Sequence, residues 1–534
     1  MAPSSRIQDT DVLVVGAGPT GLMLANQLAR HGVKSLVIDR HSGPAQESRA
    51  MAVQARSLEI YSKMGLADEA ISRGAVGTAA NMWAKNRLSA RIPIGDIGKG
   101  KSPYPFVLML GQDENERILG DNLQRLGVDV HWSTELIALV QQPGYVEVTL
   151  KLRDGHTRKI NAKWVGGCDG SRSMVREANG ITFPGAAYEH VFFVADTEAT
   201  GSMIPGELNI YLLPDGFHLF FPMKGRNRWR VIGILPEDLR NRQGLTFKEV
   251  VPALQKEAGT NLSFQQCAWF STYRIYHRAA SRFRDRRCFL LGDAAHVHSP
   301  MGAQGMNTGL QDAYNLAWKL AFAVKGLADA KLLESYEQER LPVAQRLLET
   351  TDRAFQLIVS DNWIAALFRT RIMARIAARA MTIDSARDLA FRTISQIGIK
   401  YPRSQLSQAL PGLSEAVPKA GDRFPWLHLK LRGKSSSADL FKELDDTCFN
   451  LLVFGQPSFA GESLGRGALV KLHVIADDAD NDAELNRMRI DRRSTYLVRP
   501  DGHVGLCGVD LGMDAIRRYL EERASIAGFK VVST

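Results

Sequence analysis

Three glycines near the amino terminus have the spacing of a phosphate-binding turn. Gly16, Gly18 and Gly21 form a Gly-x-Gly-x-x-Gly pattern directly after the apolar run 12–15. In such a turn the first glycine permits a sharp bend, the second lets the backbone approach a pyrophosphate, and the third lets the next helix lie close to the strand. Asp39 ends the following apolar run, where an acidic side chain can meet a ribose hydroxyl. The pattern predicts a dinucleotide site, without choosing between NAD and FAD.

A second polar cluster follows the apolar run 288–291. Gly292 and Asp293 end this run, and the glycine-rich loop 300–307 then leads into a helical pattern. A carboxylate at the end of a strand can accept hydrogen bonds from ribityl hydroxyls, and the N-terminus of a helix supports negative charge that develops as a flavin ring is reduced. The two histidines between these motifs have no carboxylate or cysteine at metal-ligand spacing, so no metal is predicted.

Three further polar residues have two interpretations each. Arg49 is either a solvated charge or a cation within reach of a pyrophosphate or a flavin edge. Gln112 begins the predicted helix 112–126, where it can cap the helix or hydrogen-bond a ribityl chain. Asp169 starts an Asp-Gly turn between a strand and a helix, which taken alone is an ordinary capped turn. The residues themselves leave these alternatives open.

The elements that must position these residues alternate between strand and helix patterns, which is typical of an α/β fold with a parallel sheet. Residues 190–290 instead contain consecutive short strands separated by turns. A mainly β segment inserted in a nucleotide-binding fold commonly forms a lid or a substrate platform. Tyr211, His218 and Tyr276 lie in this segment and are candidates for substrate contact, although such residues are more often structural.

The composition is that of a globular protein with more than one domain. The chain has 534 residues, 45% of them hydrophobic, and a net charge of +10. Because no basic run is interleaved with aromatic residues, we assign this charge to solubility and anionic ligands and expect no nucleic acid. Five cysteines without a Cys-x-x-Cys pair suit a reducing compartment. No apolar run is long enough to span a bilayer, so we expect a cytoplasmic protein with no membrane association.

Taken in order, the motifs resemble those of the single-component class A flavoprotein monooxygenases, which are aromatic hydroxylases with a p-hydroxybenzoate-hydroxylase-like fold. The resemblance covers residues 11 to about 345 and rests on three stretches: 16–40, 169–176 and 292–307. It implies that FAD is the cofactor. The residues that it places around FAD are Gly16, Gly18, Gly21, Asp39, Arg40, Arg49, Gln112, Asp169, Asp293, Pro300, Gly305, Met306 and Asn307.

The resemblance also implies a role for each group of these residues. The glycine motif would hold the ADP part, with Asp39 or Arg40 at the adenosine ribose. Asp169 is similar to a family aspartate associated with both FAD and NAD(P)H. Asp293 would hold the ribityl chain, and the backbone of 305–307 would face the isoalloxazine ring.

The implied reaction is a hydroxylation that consumes NADPH or NADH and O2. In the family a flavin C4a-hydroperoxide transfers one oxygen to a small phenolic or other aromatic substrate. The three candidates Tyr211, His218 and Tyr276 would contact the substrate or act as a base. Two other reactions stay open on the same scaffold, a Baeyer–Villiger-type oxygenation and a flavin reductase activity. A non-catalytic binding protein is the remote alternative.

The predicted fold class is α/β, with a Rossmann-type FAD-binding domain, an inserted mainly β substrate domain and a thioredoxin-like α/β domain. The FAD-binding domain is expected at 1–189 and, with a helical segment, at 281–410; the β-rich substrate domain is expected at 190–280. A linker is expected at 411–425, at the start of a thioredoxin-like domain at 411–534. Since this domain lacks Cys-x-x-Cys, it is expected to be structural or to form contacts in a homodimer.

Overall fold

The computed structural model describes most of the chain. The described residues are 7–45, 50–214, 216–258, 261–299, 301–359, 362–431, 436–455, 462–463, 469–475, 477–526 and 532–533.

Strands in the described residues range from two to 17 residues. In chain order they are β1 Thr10–Val15, β2 Ser35–Ile38, β3 Ala52–Val53, β4 Ala75–Val76, β5 Ala79–Ala84, β6 Arg87–Pro93, β7 Leu108–Met109, β8 Val130–His131, β9 Glu135–Gln141, β10 Val146–Lys151, β11 Thr157–Gly167, β12 Gly185–Thr200, β13 Leu208–Leu213, β14 Gly216–Pro222, β15 Arg228–Ile234, β16 Ser263–Ala279, β17 Arg284–Asp285, β18 Cys288–Leu290, β19 His296–Val297, β20 Gln408–Ala409, β21 His428–Leu429, β22 Ala438–Asp439, β23 Phe449–Phe454, β24 Glu462–Ser463, β25 Val470–Ile475, β26 Ser494–Val498, β27 Val504–Val509 and β28 Val532–Ser533.

The α-helices of the described residues cover both halves of the chain. They are α1 Pro19–Arg30, α2 Ala55–Lys63, α3 Ala67–Arg73, α4 Gln112–Arg125, α5 Met174–Ala178, α6 Phe247–Ala258, α7 Gly305–Val324, α8 Glu334–Val359, α9 Trp363–Leu367, α10 Ala374–Ala380, α11 Asp384–Ile394, α12 Leu440–Glu443, α13 Asp482–Met488 and α14 Met513–Glu522.

The first sheet has the order β17-β18-β11-β1-β2-β8, in which β18, β11, β1, β2 and β8 run parallel. Strand β10 pairs antiparallel with β11 and with β9 beside this path. Strand β1 is buried between β11 and β2, which explains its nearly continuous apolar sequence. Helices α1 and α7 bury apolar residues in the same core, including Leu22, Leu24 and Leu310. The predicted Rossmann-type arrangement is confirmed.

The second sheet has the order β19-β16-β12-β15-β14-β13-β5-β6. Its strands come mainly from the predicted 190–280 segment. The hairpin 79–93 and β19 also belong to this sheet, although the sequence placed both with the FAD-binding part. We define the outer face as the one covered by α6, where Phe193 and Phe220 pack. The inner face carries Phe192, Phe217 and Phe221 and meets α8 and the short strands β3 and β7.

The C-terminal sheet has the order β20-β27-β26-β23-β25. Strands β23 and β25 are parallel, β26 is antiparallel to both β23 and β27, and β20 pairs parallel with β27. This is the thioredoxin-like arrangement that the sequence predicted. Within the predicted linker 411–425, Gly421 and Phe424 donate backbone hydrogen bonds to the carbonyl oxygens of Val504 and Gly502, so this end of the segment packs against the sheet. The linker and the division into domains stay predictions.

No helix of the described ranges is both long enough and apolar enough to cross a membrane.

Candidate active site

Four of the predicted motifs meet at the carboxyl edge of the first sheet. Strands β18, β11, β1 and β2 are consecutive neighbours and parallel. Gly292 and Asp293 follow β18, Asp169 follows β11, the glycine turn follows β1, and Asp39 follows β2. Because parallel strands end at the same edge, their following loops form one continuous crevice, which is where such sheets bind ligands.

The three glycines of the first turn have different physical roles. Gly16 has a φ of +102°, and a Cβ there would lie 2.3 Å from the carbonyl oxygen of Cys168. A Cβ on Gly21 would lie 1.9 Å from the carbonyl oxygen of Gly16. A Cβ on Gly18, by contrast, would meet no atom within 4 Å. Internal packing thus requires glycine at positions 16 and 21. Gly18 instead leaves open space at the N-terminus of α1, which fits a pyrophosphate.

Asp39 supports the glycine turn directly. Its Oδ2 accepts a hydrogen bond from the backbone N–H of Ala17 (2.7 Å), and its Oδ1 accepts one from the N–H of His41 (2.8 Å). Arg40 beside it is exposed. Arg49 lies outside the described residues. Asp39 thus lies at the crevice, as the sequence predicted. Its carboxylate also stabilises the glycine turn, which the sequence did not predict.

Gln112 is the first residue of α4, and Gly111, rather than Gln112, is the N-cap. The amide Nε2 of Gln112 donates to Oε1 of Glu116 (2.9 Å), whose Oε2 accepts from the N–H of Ala45 (3.0 Å). Burial raises the pKa of Glu116. Glu116 was not among the predicted residues, although a carboxylate one helical turn after Gln112 is a recognisable signal.

Asp169 lies where β11 turns towards α5. Its Oδ2 accepts from the N–H of Val175 (3.1 Å), whereas Oδ1 is buried without a hydrogen-bond partner in the part of the chain that the structure describes. Burial raises the pKa of Asp169. Arg176 donates to the carbonyl oxygens of Ala294 (3.0 Å) and Ser171 (2.9 Å) and so connects this turn to the loop after β18.

The N-terminal turn of α7 forms the opposite side of the crevice. Gly305 and Met306 are half-buried, and the first N–H groups of a helix have no partner within it. The side chain of Asn307 is buried and makes four hydrogen bonds within the protein. The Asn307 side chain thus fixes the loop before α7. Pro300 lies outside the described residues.

Beneath this loop lies a buried charged network that the sequence analysis missed. Asp312 accepts hydrogen bonds from the N–H of Gly292 (3.0 Å), from Nε2 of His296 (2.7 Å) and from Nε of Arg340 (2.6 Å). Burial would raise the pKa of Asp312, but Arg340 and His296 hold it below its ordinary value. A charged residue within the apolar pattern of α7 was the available signal.

Burial lowers the pKa of His298 to about 4, so its ring is neutral at physiological pH. Among the described residues, no group of histidine, cysteine or acidic side chains has the geometry to hold a metal ion.

The three predicted substrate or base candidates do not face the crevice. His218 is 2% exposed and pairs with Glu257 of α6 on the outer face (2.7 Å). Tyr211 stacks on Trp83 on the same face. Tyr276 is 37% exposed, and Arg278 lies over its ring. These positions support structural roles for the first two residues.

A cavity of about 390 Å³ lies between the inner face of the second sheet and the FAD-binding part. Its apolar wall includes Met51, Met109 and Met223. The buried Arg230 lines it and is held by Asp196, whose two oxygens accept from the guanidinium at 2.5 and 2.6 Å. The other charged side chains that line it are Arg73, Asp113, Glu114, Lys224 and Arg228. With Asp196 included, four cationic groups stand against three acidic ones, and this small cationic excess favours an anionic or electron-rich ligand.

Comparison with known proteins agrees with this geometry. Residues 9–351 match a family described as FAD binding domain, and the chain belongs to this family. It is 32% identical over 529 residues to 6-methylpretetramide 4-monooxygenase of Streptomyces rimosus, covering 96% of this chain and 93% of the relative. It is 35% identical over 364 residues to pentachlorophenol 4-monooxygenase of Sphingobium chlorophenolicum, covering 66% of each chain.

A solved structure supports the same class. The chain superposes on the anhydrotetracycline hydroxylase OxyS of Streptomyces rimosus with a TM-score of 0.77 and 26% identity, over 98% of this chain and 100% of that one. The protein is an FAD-dependent aromatic monooxygenase that uses NAD(P)H and O2. Bound FAD supplies hydride acceptance and oxygen activation, and the residues of this chain bind it, orient it and exclude water.

Proposed function

We propose that this monooxygenase hydroxylates a fused-ring phenolic substrate bound in the 390 Å³ cavity. The cavity is the observation that carries the proposal, since its volume is in the range of small-molecule sites and its wall combines apolar side chains with excess positive charge. Such a wall favours an aromatic ring system whose hydroxyl is ionised, and ionisation of a phenol makes its ring more electron-rich.

The extent of the similarity favours a fused-ring substrate over a single ring. The relatives named for a pretetramide and for anhydrotetracycline match nearly the whole chain. The relative named for pentachlorophenol matches only 66% of it. We therefore expect a substrate of the class named for the relatives that match nearly the whole chain.

The placement of FAD belongs to the same proposal. The pyrophosphate would lie at Gly18 and the N-terminus of α1, the ribityl chain near Asp293, and the isoalloxazine ring at the backbone of Gly305 and Met306. A homodimer, a cytoplasmic location and the absence of nucleic-acid and membrane partners stay predictions.

The test is NAD(P)H oxidation by the purified yellow holoenzyme, in the presence of O2, over matched panels of single-ring and fused-ring phenols. We expect a fused-ring phenol to accelerate oxidation most and to gain one hydroxyl, identified by mass and NMR. An ester or lactone product would instead indicate Baeyer–Villiger-type oxygenation. Oxidation that yields only hydrogen peroxide with every compound would indicate a reductase. Selective acceleration by single-ring phenols would contradict the proposed substrate class.

A further inference from the structure

A buried ionic cluster joins the C-terminal part to helix α2 of the FAD-binding part. Arg423 donates through Nε to Oε2 of Glu59 (2.9 Å) and through Nη2 to Oε1. Arg56 donates to the same carboxylate (3.0 Å) and to the carbonyl oxygen of Asp501 (2.6 Å). Burial alone would raise the pKa of Glu59, but the two guanidinium groups keep it below its ordinary value. The carboxylate is therefore ionised and firmly held.

The N-terminal end of α2 fixes the loop before α7. The carboxamide oxygen of Asn307 accepts hydrogen bonds from the N–H of Gln54 (2.8 Å) and from Oγ of Ser57 (2.7 Å). Its Nδ2 donates to the carbonyl oxygens of Ala52 and Ala303 (2.9 Å each). Ala303 has a φ of +51°, which a residue with a side chain rarely adopts. This conformation persists only where neighbouring groups hold it.

We propose that Arg423 is a positioning residue for the flavin: through Glu59 it fixes α2, and through Ser57 and Asn307 α2 fixes the loop 301–305. The inference rests on the proposed placement of the isoalloxazine ring at this loop. It gives the thioredoxin-like part, which has no Cys-x-x-Cys pair, a role in shaping the flavin site.

The chain offers a matched control for breaking the interface elsewhere. Asp446, also in the C-terminal part, accepts two hydrogen bonds of 2.7 Å from Arg30. Arg30 is the last residue of α1, about 18 Å along the helix from its phosphate-binding end. Arg423→Gln and Asp446→Asn therefore each weaken one cross-interface pair of similar geometry. Asp446 also accepts a hydrogen bond from Oη of Tyr314 (3.2 Å), nine residues after Gly305 in α7, whereas the Arg423–Glu59 pair leads to the loop 301–305 through Ser57 and Asn307.

The experiment compares FAD binding by the apoenzyme, visible circular dichroism of bound FAD and thermal unfolding in both variants. We expect both variants to unfold at lower temperature. Arg423→Gln should also bind FAD about tenfold more weakly, the factor that corresponds to one net hydrogen bond, and should change the flavin dichroism. Arg423→Lys, which keeps the charge, should restore part of both. Asp446→Asn should retain wild-type FAD affinity and dichroism.

Equal FAD affinity and dichroism in Arg423→Gln, Asp446→Asn and the wild type would overturn the inference. If Arg423→Gln does not fold, Ser57→Ala tests the next contact without altering the interface, and unchanged flavin dichroism in that variant would also overturn it. Removal of the Asn307 side chain tests the proposed flavin placement separately. If the wild type binds FAD but this variant has unaltered FAD affinity and dichroism, the placement itself is wrong.

Discussion

The carboxyl edge of the first sheet is open to solvent, whereas the interface with the C-terminal part encloses buried charged groups. At the edge, Gly18 faces open space and Asp293 is exposed. At the interface, Glu339 is fully buried and accepts hydrogen bonds from Lys319 (2.8 Å) and Arg499 (2.6 and 2.9 Å). The difference indicates that one region is built to receive a ligand and the other to stay closed. Substitutions at the edge should therefore change FAD affinity, and substitutions at the interface should change the free energy of unfolding.

The largest expected effect is at the interface. Glu339→Gln leaves Lys319 with a neutral partner in a dry environment and removes one of the two carboxylates, Glu339 and Asp501, that pair with Arg499. Breaking a buried ionic pair on one side typically costs about 3–5 kcal/mol, so the free energy of unfolding should fall by about that amount. Urea unfolding measures it. FAD affinity should change less than about twofold, since Glu339 contacts no residue of the glycine turn.

Glu334→Gln is the control for this substitution, because Glu334 lies on the same helix but is exposed. It should change the unfolding free energy by less than about 0.5 kcal/mol. An equal response of the two variants would contradict the description of the interface as a permanently closed region.

The next largest expected effect is a loss of FAD affinity at Gly18 without a loss of apoenzyme stability. Gly18 has a φ of −71°, which alanine adopts freely, and its new Cβ would touch no protein atom. Gly18→Ala should therefore fold normally but bind FAD about 100-fold more weakly, because the methyl group occupies the space of the pyrophosphate. Titration of the apoenzyme with FAD and its thermal unfolding measure the two quantities.

Gly21→Ala provides the contrast, since its Cβ would lie 1.9 Å from the carbonyl oxygen of Gly16. This variant should destabilise the apoenzyme itself. If Gly18→Ala lost apoenzyme stability to the same extent, the open space at Gly18 would not be a ligand site.

Acid should weaken the interface through Glu339. Burial alone would raise the pKa of this carboxyl, but Arg499 and Lys319 lower it from 4.5 to about 2. A depressed folded-state pKa contributes stability that is complete above pH 4.5 and is lost as the pH falls towards 2. Between pH 4.5 and pH 3 the loss from this group is about 2 kcal/mol. Glu339→Gln should unfold with a correspondingly flatter pH dependence over this range, and an identical slope in both proteins would contradict the assignment.

The contrast between the two regions also explains what the sequence could predict. The FAD edge depends on local rules: a glycine turn after a strand fixes Gly16, Gly18 and Gly21 within a short segment. The interface depends on pairs far apart in the chain, such as Glu59 with Arg423. Their residue types look like ordinary surface charges, and only the tertiary fold brings them together.

The substrate side was harder to predict for a related reason. Alternation in a strand predicts that side chains point to two faces, but it does not tell which face meets the cofactor when helices cover both. Tyr211 and His218 were chosen by chemical type, and both lie under α6. Arg230 and Met223, which line the cavity, carried no distinctive motif.

The smallest expected effects follow from this difference between the two faces. Tyr211→Phe and His218→Gln alter groups separated from the cavity by the sheet, so kcat/KM should change less than about threefold. Loss of the His218–Glu257 contact should lower the unfolding free energy by about 1 kcal/mol.

Met223→Ala removes apolar surface from the cavity wall and should raise KM about fivefold to tenfold, the factor for one or two lost methylene-sized contacts. Steady-state kinetics with the accelerating phenol give both values. A large loss of kcat in His218→Gln with KM unaltered would place the reacting substrate at the outer face and reverse the assignment of the two faces.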